Sequence, residues 1–295
     1  MLSYDWLKIL GVIALAALLF SVFFVMIATR ATDGQKFYVY AYNGLQVGGD
    51  FYGLNDTMTE KKVFSYEILD IGAETFSDSK GFGNTVFSAR RYSGEGRVMF
   101  LQDTREEQDG KQVSALTELV LSVLENEGQD DEYFDLFLDP TEFFKETREY
   151  LVRFFGEELK GEPNAAETHK AFMDRNKKDK RFRTDAKKQE GVKKEGERLT
   201  KLRDDYLEVE AALGTKLNFV TCESEKKEYT VGLSMRELSD ISKLVYYTVE
   251  ENGQEINTAS DIVLTIFNNG DREGDLKYET VNFLAYLLRA YGSES

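Results

Sequence analysis

The feature that most constrains this chain is an unbroken apolar run near its start. Residues Ile9 to Ala28 carry 20 uncharged, mostly apolar side chains. A helix of that length, at about 1.5 Å per residue, is about 30 Å long and matches the hydrocarbon core of a bilayer. We therefore expect a short N-terminal tail (residues 1–8), a transmembrane helix (residues 9–29) and a polar spacer (residues 30–36).

A cleaved signal peptide is the alternative interpretation of this run. Signal peptides have a shorter apolar region that ends in small residues, and here Arg30 stands where a small residue should precede the cut. A retained anchor is therefore favoured. The basic residues Lys8, Arg30 and Lys36 are divided between the two flanks, so they say little about orientation. The short head and long C-terminal part favour a single-pass protein of the cell membrane whose C-terminal domain is extracellular.

The charge of the chain restricts its partners. With 37 Lys and Arg against 53 Asp and Glu, the formal net charge is −16, which argues against general nucleic-acid binding. The basic residues concentrate in residues 170–203, with 14 bases against 6 acids. This stretch is interpreted as a solvated helix with pairs of opposite charge four residues apart. The alternative is a docking surface for anionic lipid, a polyanionic wall polymer or an acidic partner.

Alternating apolar and turn-forming segments predict an α/β domain over residues 37–295. Strands are predicted at 36–42, 63–71 and 97–101, with a helix at 84–92, and this order implies a parallel βαβ unit. The remaining predictions are helices at 114–127, 140–155 and 276–291, a charged helical insert at about 165–212, and strands at 216–221, 228–233, 243–249 and 261–267. The expected fold is a parallel or mixed sheet with flanking helices and a helical insert.

Few residues carry recognisable chemistry. A single histidine, His169, and a single cysteine, Cys222, exclude a zinc cluster of those residues, and no phosphate-binding glycine motif occurs. No cofactor or catalytic residue is predicted, and an enzyme is not expected. The segment with Asn269, Asp271 and Glu273 resembles the start of a calcium loop, but its twelfth position is Thr280 instead of a glutamate. A solvated turn is therefore favoured there.

Several segments carry a resemblance to a known family. The strand VFSYEILDI, the helix end SARRYSGEG and the strand RVMFLQD resemble the first lobe of extracytoplasmic solute-binding proteins of transporters, which have the type 2 periplasmic-binding fold. The later segments DIVLTIFNNG and KYETVNFLAYLLRAYG also resemble that family. The chain departs from it in having a helix in place of a lipid-attachment cysteine, and a short charged insert where a full second lobe is usual. Membrane-anchored proteins of Gram-positive bacteria are similar in outline.

The resemblance implies that a small ligand is captured or sensed beside a transporter. Ligands of open α/β sheets bind at the carboxyl ends of the strands. The expected ligand-binding residues are Tyr42, Asn43, Asp70, Asp103 and Thr104. A second hypothesis is that the same fold has no ligand and acts as an interaction or scaffold subunit of a membrane complex. In either case the expected partners are the lipid bilayer, through Ile9–Ala28, and a transporter or another membrane subunit.

Overall fold

The computed structural model of the protein describes residues 5–27, 31–42, 44–76, 89–90, 93–108, 111–114, 116, 137–223, 228–251 and 253–292. The helices predicted over residues 84–92 and 114–127 lie almost entirely outside these residues.

The apolar run near the start lies in one helix, α1, from Asp5 to Ile27. Every described side chain of this helix from Ile9 to Val22 is exposed, and Phe20 is 72% exposed. Within the described residues, no helix has both the length and the apolar character that crossing a membrane requires. The transmembrane span predicted over residues 9–29 is therefore not confirmed.

The body of the protein is built around a mixed sheet. The described strands are β1 (Lys36–Ala41), β2 (Gln46–Val47), β3 (Asp70–Thr75), β4 (Val98–Gln102), β5 (Glu106–Gln108), β6 (Lys111–Val113), β7 (Asn218–Glu223), β8 (Glu228–Ser234), β9 (Val245–Glu251), β10 (Gln254–Thr258) and β11 (Ile262–Ile266). Six of them form one sheet in the order β3-β1-β4-β11-β8-β7, and β10, β9 and β2 form a smaller sheet.

Parallel and antiparallel pairing meet inside the large sheet. β1 pairs in parallel with β3 on one side and with β4 on the other. β11 then pairs with β4 in the antiparallel direction, so that Ile262 lies opposite Gln102. The amino end of β11 therefore meets the carboxyl end of β4. The predicted mixed α/β architecture is confirmed.

The core explains why the central strands carry continuous apolar runs. All residues from Val98 to Leu101 in β4 and from Ile262 to Ile266 in β11 are buried, as expected for strands covered on both faces. The described helices are α2 (Gly49–Tyr52), α3 (Leu54–Glu60), α4 (Pro140–Phe155), α5 (Ala165–Arg175), α6 (Asp185–Ala212) and α7 (Thr280–Tyr291). Helices α3, α4, α6 and α7 contribute to the larger of the two apolar clusters, together with residues of β1, β4 and β11.

The predicted insert consists of α5 and α6. Along α6, apolar side chains recur at spacings of three and four residues. This seam, formed by Leu199, Leu202, Tyr206 and Val209, is buried against the body. In the first half, Phe172 is buried and its ring packs edge-on against Phe182, with centroids 4.9 Å apart. The insert therefore packs directly on the body.

The strand predicted over residues 63–71 is wrong. The strand runs from Asp70 to Thr75, and residues 63–69 form a turn and irregular backbone. Val63, Phe64, Glu67 and Ile68 are all buried, so burial in this segment does not alternate as it would along a strand. The carboxylate of Glu67 is held by side chains of the insert, a contact that the local pattern does not reveal.

Candidate functional site

The carboxyl ends of β1, β3 and β4 meet at one edge of the large sheet. The chain passes from β1 to β3 on one side and then to β4 on the other side, so the direction of strand addition reverses at β1. Open α/β sheets bind ligands outside the carboxyl ends of their strands at such a reversal. We call this part of the molecule the carboxyl edge.

Three of the five predicted ligand-binding residues come together at the carboxyl edge. Tyr42 follows β1, and its N–H donates to the carbonyl oxygen of Phe100 in β4 at 3.0 Å. Asp103 and Thr104 follow β4, and the N–H of Asp103 donates to the carbonyl oxygen of Asp261 at 2.7 Å. Asn43 lies outside the described residues.

The structure does not bring Asp70 to this edge. Asp70 is the first residue of β3 and lies opposite Lys36, the first residue of β1, at the other end of the sheet. Its carboxylate accepts a hydrogen bond from the Tyr38 hydroxyl at 2.9 Å. Burial and this hydrogen bond raise the pKa of Tyr38 to about 12. Asp70 was predicted at the carboxyl edge because the strand was expected to end at residue 71, whereas β3 begins at Asp70.

Asp261, which was not among the predicted residues, organises the carboxyl edge. Its carboxylate accepts hydrogen bonds from the Tyr247 hydroxyl at 3.0 Å, from Arg236 Nη2 at 2.9 Å and from the Thr104 hydroxyl at 3.3 Å. Asp261 precedes β11, and it reaches Thr104 because β11 runs antiparallel to β4. The apolar pattern of a strand does not show whether it runs parallel or antiparallel to its neighbour.

Asp103 has its own partners in this network. Its carboxylate accepts from the Ser114 hydroxyl at 2.6 Å and from Arg105 Nε at 2.9 Å. The side-chain amide of Gln102 donates to the Thr104 hydroxyl at 2.9 Å. These bonds fix the orientation of the polar side chains at the end of β4.

A groove lies beside this network. It has a volume of about 370 Å³ and is lined by Gly44, Leu45, Gln46, Val47, Tyr52, Thr75, Phe76 and Tyr246. Gly44 has a φ of 85°, and a Cβ atom there would lie 3.1 Å from Oε1 of Gln102. Glycine thus permits both the turn and the close approach to β4. We call this cavity the edge groove; its aromatic rings and hydroxyl groups suit stacking and hydrogen bonding with a small polar molecule.

A second group of polar residues fastens the insert to the body. It is a buried ionic cluster, which we call the insert cluster, and its members are Glu67, Arg175, Arg181, Glu195, Arg198, Asp275 and Glu279. Arg198 has no exposed side-chain surface and pairs with Glu195 at 3.1 Å and Glu279 at 3.0 Å. Arg175 pairs with Glu67 at 3.3 Å, with Asp275 at 2.6 Å and with Glu195.

Two carboxylates of the insert cluster have pKa values below the usual range. Burial by itself would raise the pKa of Glu67, but the guanidinium groups of Arg175 and Arg181 lower that pKa below its usual value. In the same way, Arg175 and Arg198 outweigh burial and lower the pKa of Asp275. Carboxylates held in this way remain ionised at neutral pH, so they do not suit proton transfer there. The cluster holds two parts of the chain together.

Acid should weaken the fold through the insert cluster. Because the pKa values of Glu67 and Asp275 are lower in the folded protein, their contribution is fully present above the unfolded values of roughly 4. It is lost as the pH falls through the lower, folded values. We expect the urea midpoint of unfolding to fall from pH 5 to pH 3, and the fall to be smaller in Glu67→Gln. An equal fall in both proteins would contradict this role of Glu67.

The calcium-like segment contributes a carboxylate to a buried ion pair with an arginine. Glu273 is buried and pairs with the buried guanidinium of Arg97. The Asn269 side-chain amide donates to Oε1 of Glu273 at 2.6 Å and to the carbonyl oxygen of Gly96 at 2.7 Å. The favoured solvated turn is therefore wrong for Glu273, since this side chain lies in the interior. In the part of the chain that the structure describes, no group of His, Cys, Asp or Glu side chains could hold a metal ion.

Comparison with known proteins adds no relative. The chain matches no family model, no curated protein and no solved structure.

Proposed function

We propose that this protein is a membrane-tethered, extracytoplasmic binding module that captures or senses a small polar ligand beside a transporter. The observation that carries the proposal is the position of the edge groove outside the carboxyl ends of β1 and β3, next to the point where strand addition reverses. Tyr52, Thr75 and Tyr246 offer rings and hydroxyl groups. Gln102, whose side chain donates to the Thr104 hydroxyl, approaches the groove at Gly44. Solute-binding proteins, which the sequence resembles, are the model for this function.

The tether is proposed from helix α1. Its exposed large apolar side chains include Ile9, Val12, Leu15 and Phe20, and the run from Ile9 to Ala28 has no charge. Leaving that much apolar surface in water costs about 25 cal/mol per Å², and lipid chains remove the cost. We propose that α1 is the transmembrane anchor and that the body lies on the extracellular side.

The edge groove is tested by ligand-dependent stabilisation of the full chain in detergent. We expect one class among amino acids, sugars and short peptides to raise the unfolding temperature, since a ligand that binds only the folded state stabilises it. Tyr52→Ala should weaken that binding by about fivefold, because about 1 kcal/mol of stacking is lost. Tyr52 is 80% exposed, so this change should not unfold the protein.

The control is Phe219→Ala, which truncates a half-exposed ring on β7, at the far edge of the large sheet. Its ligand response should equal that of the unchanged protein. The proposal is contradicted if no class of compound shifts the unfolding temperature, or if Tyr52→Ala binds the effective compound as well as the control does.

A second candidate function, an interaction subunit that needs no ligand, is favoured by one surface. Residues 177–188, which we call the basic turn, span the connection from α5 to α6 and the first turn of α6, and they contain seven basic and two acidic residues. Lys177, Lys178, Arg183 and Lys187 are exposed and form no ion pair with a described carboxylate. Their charge suits an acidic partner. Charge reversal across residues 177–183 that leaves membrane association and co-purifying proteins unchanged would count against this function.

A further inference from the structure

The basic turn lies next to the point where the N-terminal spacer joins the body. The side-chain amide of Gln35, in the spacer, donates a hydrogen bond to Oε2 of Glu67 at 3.3 Å. Arg181 of the basic turn binds the same oxygen atom, and its Nη1 donates to the carbonyl oxygen of Tyr66 at 3.3 Å. One buried carboxylate therefore joins the spacer to the basic turn.

The length of the chain limits how far this point can lie from α1. Helix α1 ends at Ile27, and the next described turn closes where the Gln35 N–H donates to the Thr32 carbonyl oxygen at 2.9 Å. This turn belongs to the body, because the Gln35 carbonyl oxygen accepts from the Leu69 N–H at 2.8 Å. The five peptide links from Ile27 to Thr32 span at most about 18 Å. A helix anchored in a bilayer would thus keep the neighbouring basic turn close to the lipid headgroups.

The basic turn is the exception in an acidic chain. Its seven basic and two acidic residues give it a charge of +5, so the net charge of −16 leaves −21 for the rest of the chain. Both of its acids are paired within the turn, Asp179 with Arg181 at 2.8 Å and Asp185 with Lys188 at 3.3 Å. An anionic bilayer attracts such a basic segment and repels the rest of the chain, so it would orient the body.

An exposed apolar side chain lies in the same region. Leu69, which follows Glu67 by two residues, is 41% exposed and lines a groove of about 550 Å³ together with Lys62 and Tyr66. The Tyr66 ring packs edge-on against Phe182 of the basic turn, with ring centroids 6.2 Å apart. Binding to a bilayer surface combines buried apolar area with attraction between basic residues and anionic lipids, and both are present here.

We propose that the basic turn docks on the anionic headgroups of the bilayer in which α1 is anchored, and so holds the body in one orientation on the membrane. This docking rests on the proposed tether, because α1 supplies the proximity. An acidic protein would account for the charge of the turn, but not for its position beside the spacer and the exposed Leu69.

Energy transfer from the basic turn to lipid tests the docking in the full chain. A donor dye is attached to Ala186→Cys, an exposed position in the turn, and an acceptor dye to the lipid headgroups; Cys222 is buried and should react slowly. Transfer should be higher in discs that contain phosphatidylglycerol than in discs of phosphatidylcholine alone. Salt at about 0.5 M should remove the difference, because it screens charges beyond a few ångströms. Equal transfer in both kinds of disc at low salt would overturn the proposal.

Charge variants test which residues act. The test variant replaces four exposed basic residues of the turn: Lys177→Gln, Lys178→Gln, Arg183→Gln and Lys187→Gln. Each basic residue near an anionic surface favours docking by roughly fivefold, so the transfer should fall to the phosphatidylcholine value. The matched control replaces three lysines and one arginine that are exposed outside the turn: Lys145→Gln, Arg153→Gln, Lys160→Gln and Lys243→Gln. Its transfer should equal that of the unchanged protein, and equal transfer by the two variants would contradict the proposal.

Two further outcomes separate this docking from the functions proposed above. Release of the chain from the discs at about 0.5 M salt would contradict the tether itself, because an anchored helix does not depend on charge. Loss of a co-purifying acidic protein from the test variant, with unchanged transfer, would replace lipid by a protein partner and overturn the docking. The basic turn shares no residue with the edge groove, so Tyr52→Ala should leave the transfer unchanged.

Discussion

Replacing Arg198 by methionine should lower the free energy of unfolding by about 3–5 kcal/mol. The guanidinium group is fully buried and binds Glu195, Glu279 and Asp275, and it also donates to the Tyr150 hydroxyl at 2.6 Å. Its removal would leave buried carboxylates with too few donors, and buried charges without partners are the costly outcome. Urea unfolding at neutral pH, followed by circular dichroism, measures the effect.

The control for this experiment lies on the same helix. Lys193 is 81% exposed on its side chain and has only a 3.9 Å pair with Glu197, so Lys193→Met should change stability by less than about 1 kcal/mol. The structure would be contradicted if the two substitutions had similar effects. It would also be contradicted if Arg198→Met lost stability without loosening the insert, as reported by proteolysis between α5 and α6.

Arg97→Met should have an effect of similar size, about 3–5 kcal/mol, for the same physical reason at a different place. Arg97 is buried beneath the start of β4, and besides Glu273 it donates to the carbonyl oxygens of Gly34 and Lys36 at 3.2 Å each. Burial raises the pKa of Glu273 even though Arg97 opposes that shift. Without Arg97 the pKa of Glu273 should be raised further, so the stability of the variant should fall as the pH rises above the unfolded value of roughly 4 and through the raised, folded value.

A double variant separates two costs of losing Arg97: the unpaired Glu273 carboxylate and the lost hydrogen bonds to the backbone. Buried ion pairs are often replaced by apolar side chains at little cost, whereas removal of one partner leaves the other uncompensated. We expect Arg97→Met/Glu273→Leu to recover at least half of the loss caused by Arg97→Met, measured as a difference in urea midpoints. If the double variant were less stable than the single one, the cost would lie in the backbone contacts of Arg97 rather than in the unpaired carboxylate.

The parts of the fold that were predictable from the sequence are those set by local pattern. The apolar run Val98–Leu101 defines a central strand, and Pro140 marks the start of α4. There the Asp139 carboxylate accepts from the Thr141 N–H at 2.7 Å. The seam of α6 follows from spacings of three and four residues. Each of these signals lies within a few neighbouring residues.

The parts that were missed depend on distant partners. Charge spacing predicted a solvated helix over residues 170–203, and exposed pairs such as Glu190 with Lys194 agree with that. Arg175 and Arg198 instead point inward and pair with Glu67 and Glu279. These partners lie far away in the chain, so the local charge spacing does not reveal the pairs. Asp261 was missed for the same reason: only the antiparallel direction of β11 places it beside Thr104.

The packing of the insert bears on how a ligand would be held. The insert occupies the middle of the chain, where solute-binding proteins carry a second lobe, and the insert cluster fastens it to the body with buried ion pairs. Breaking such pairs is costly, so the insert does not suit large opening and closing movements. We therefore propose that a ligand is held in the edge groove without closure of two lobes.

Hydrogen exchange of the full chain in lipid discs tests this account most directly. The compound that raises the unfolding temperature should slow amide exchange at residues 44–52 and 75–76, which contain most of the residues that line the edge groove, and should leave exchange in the insert unchanged. Tyr52→Ala should reduce that protection at a concentration of the compound that does not saturate the site. Protection that appears across residues 165–212 instead, or no change at residues 44–52, would contradict binding in the edge groove.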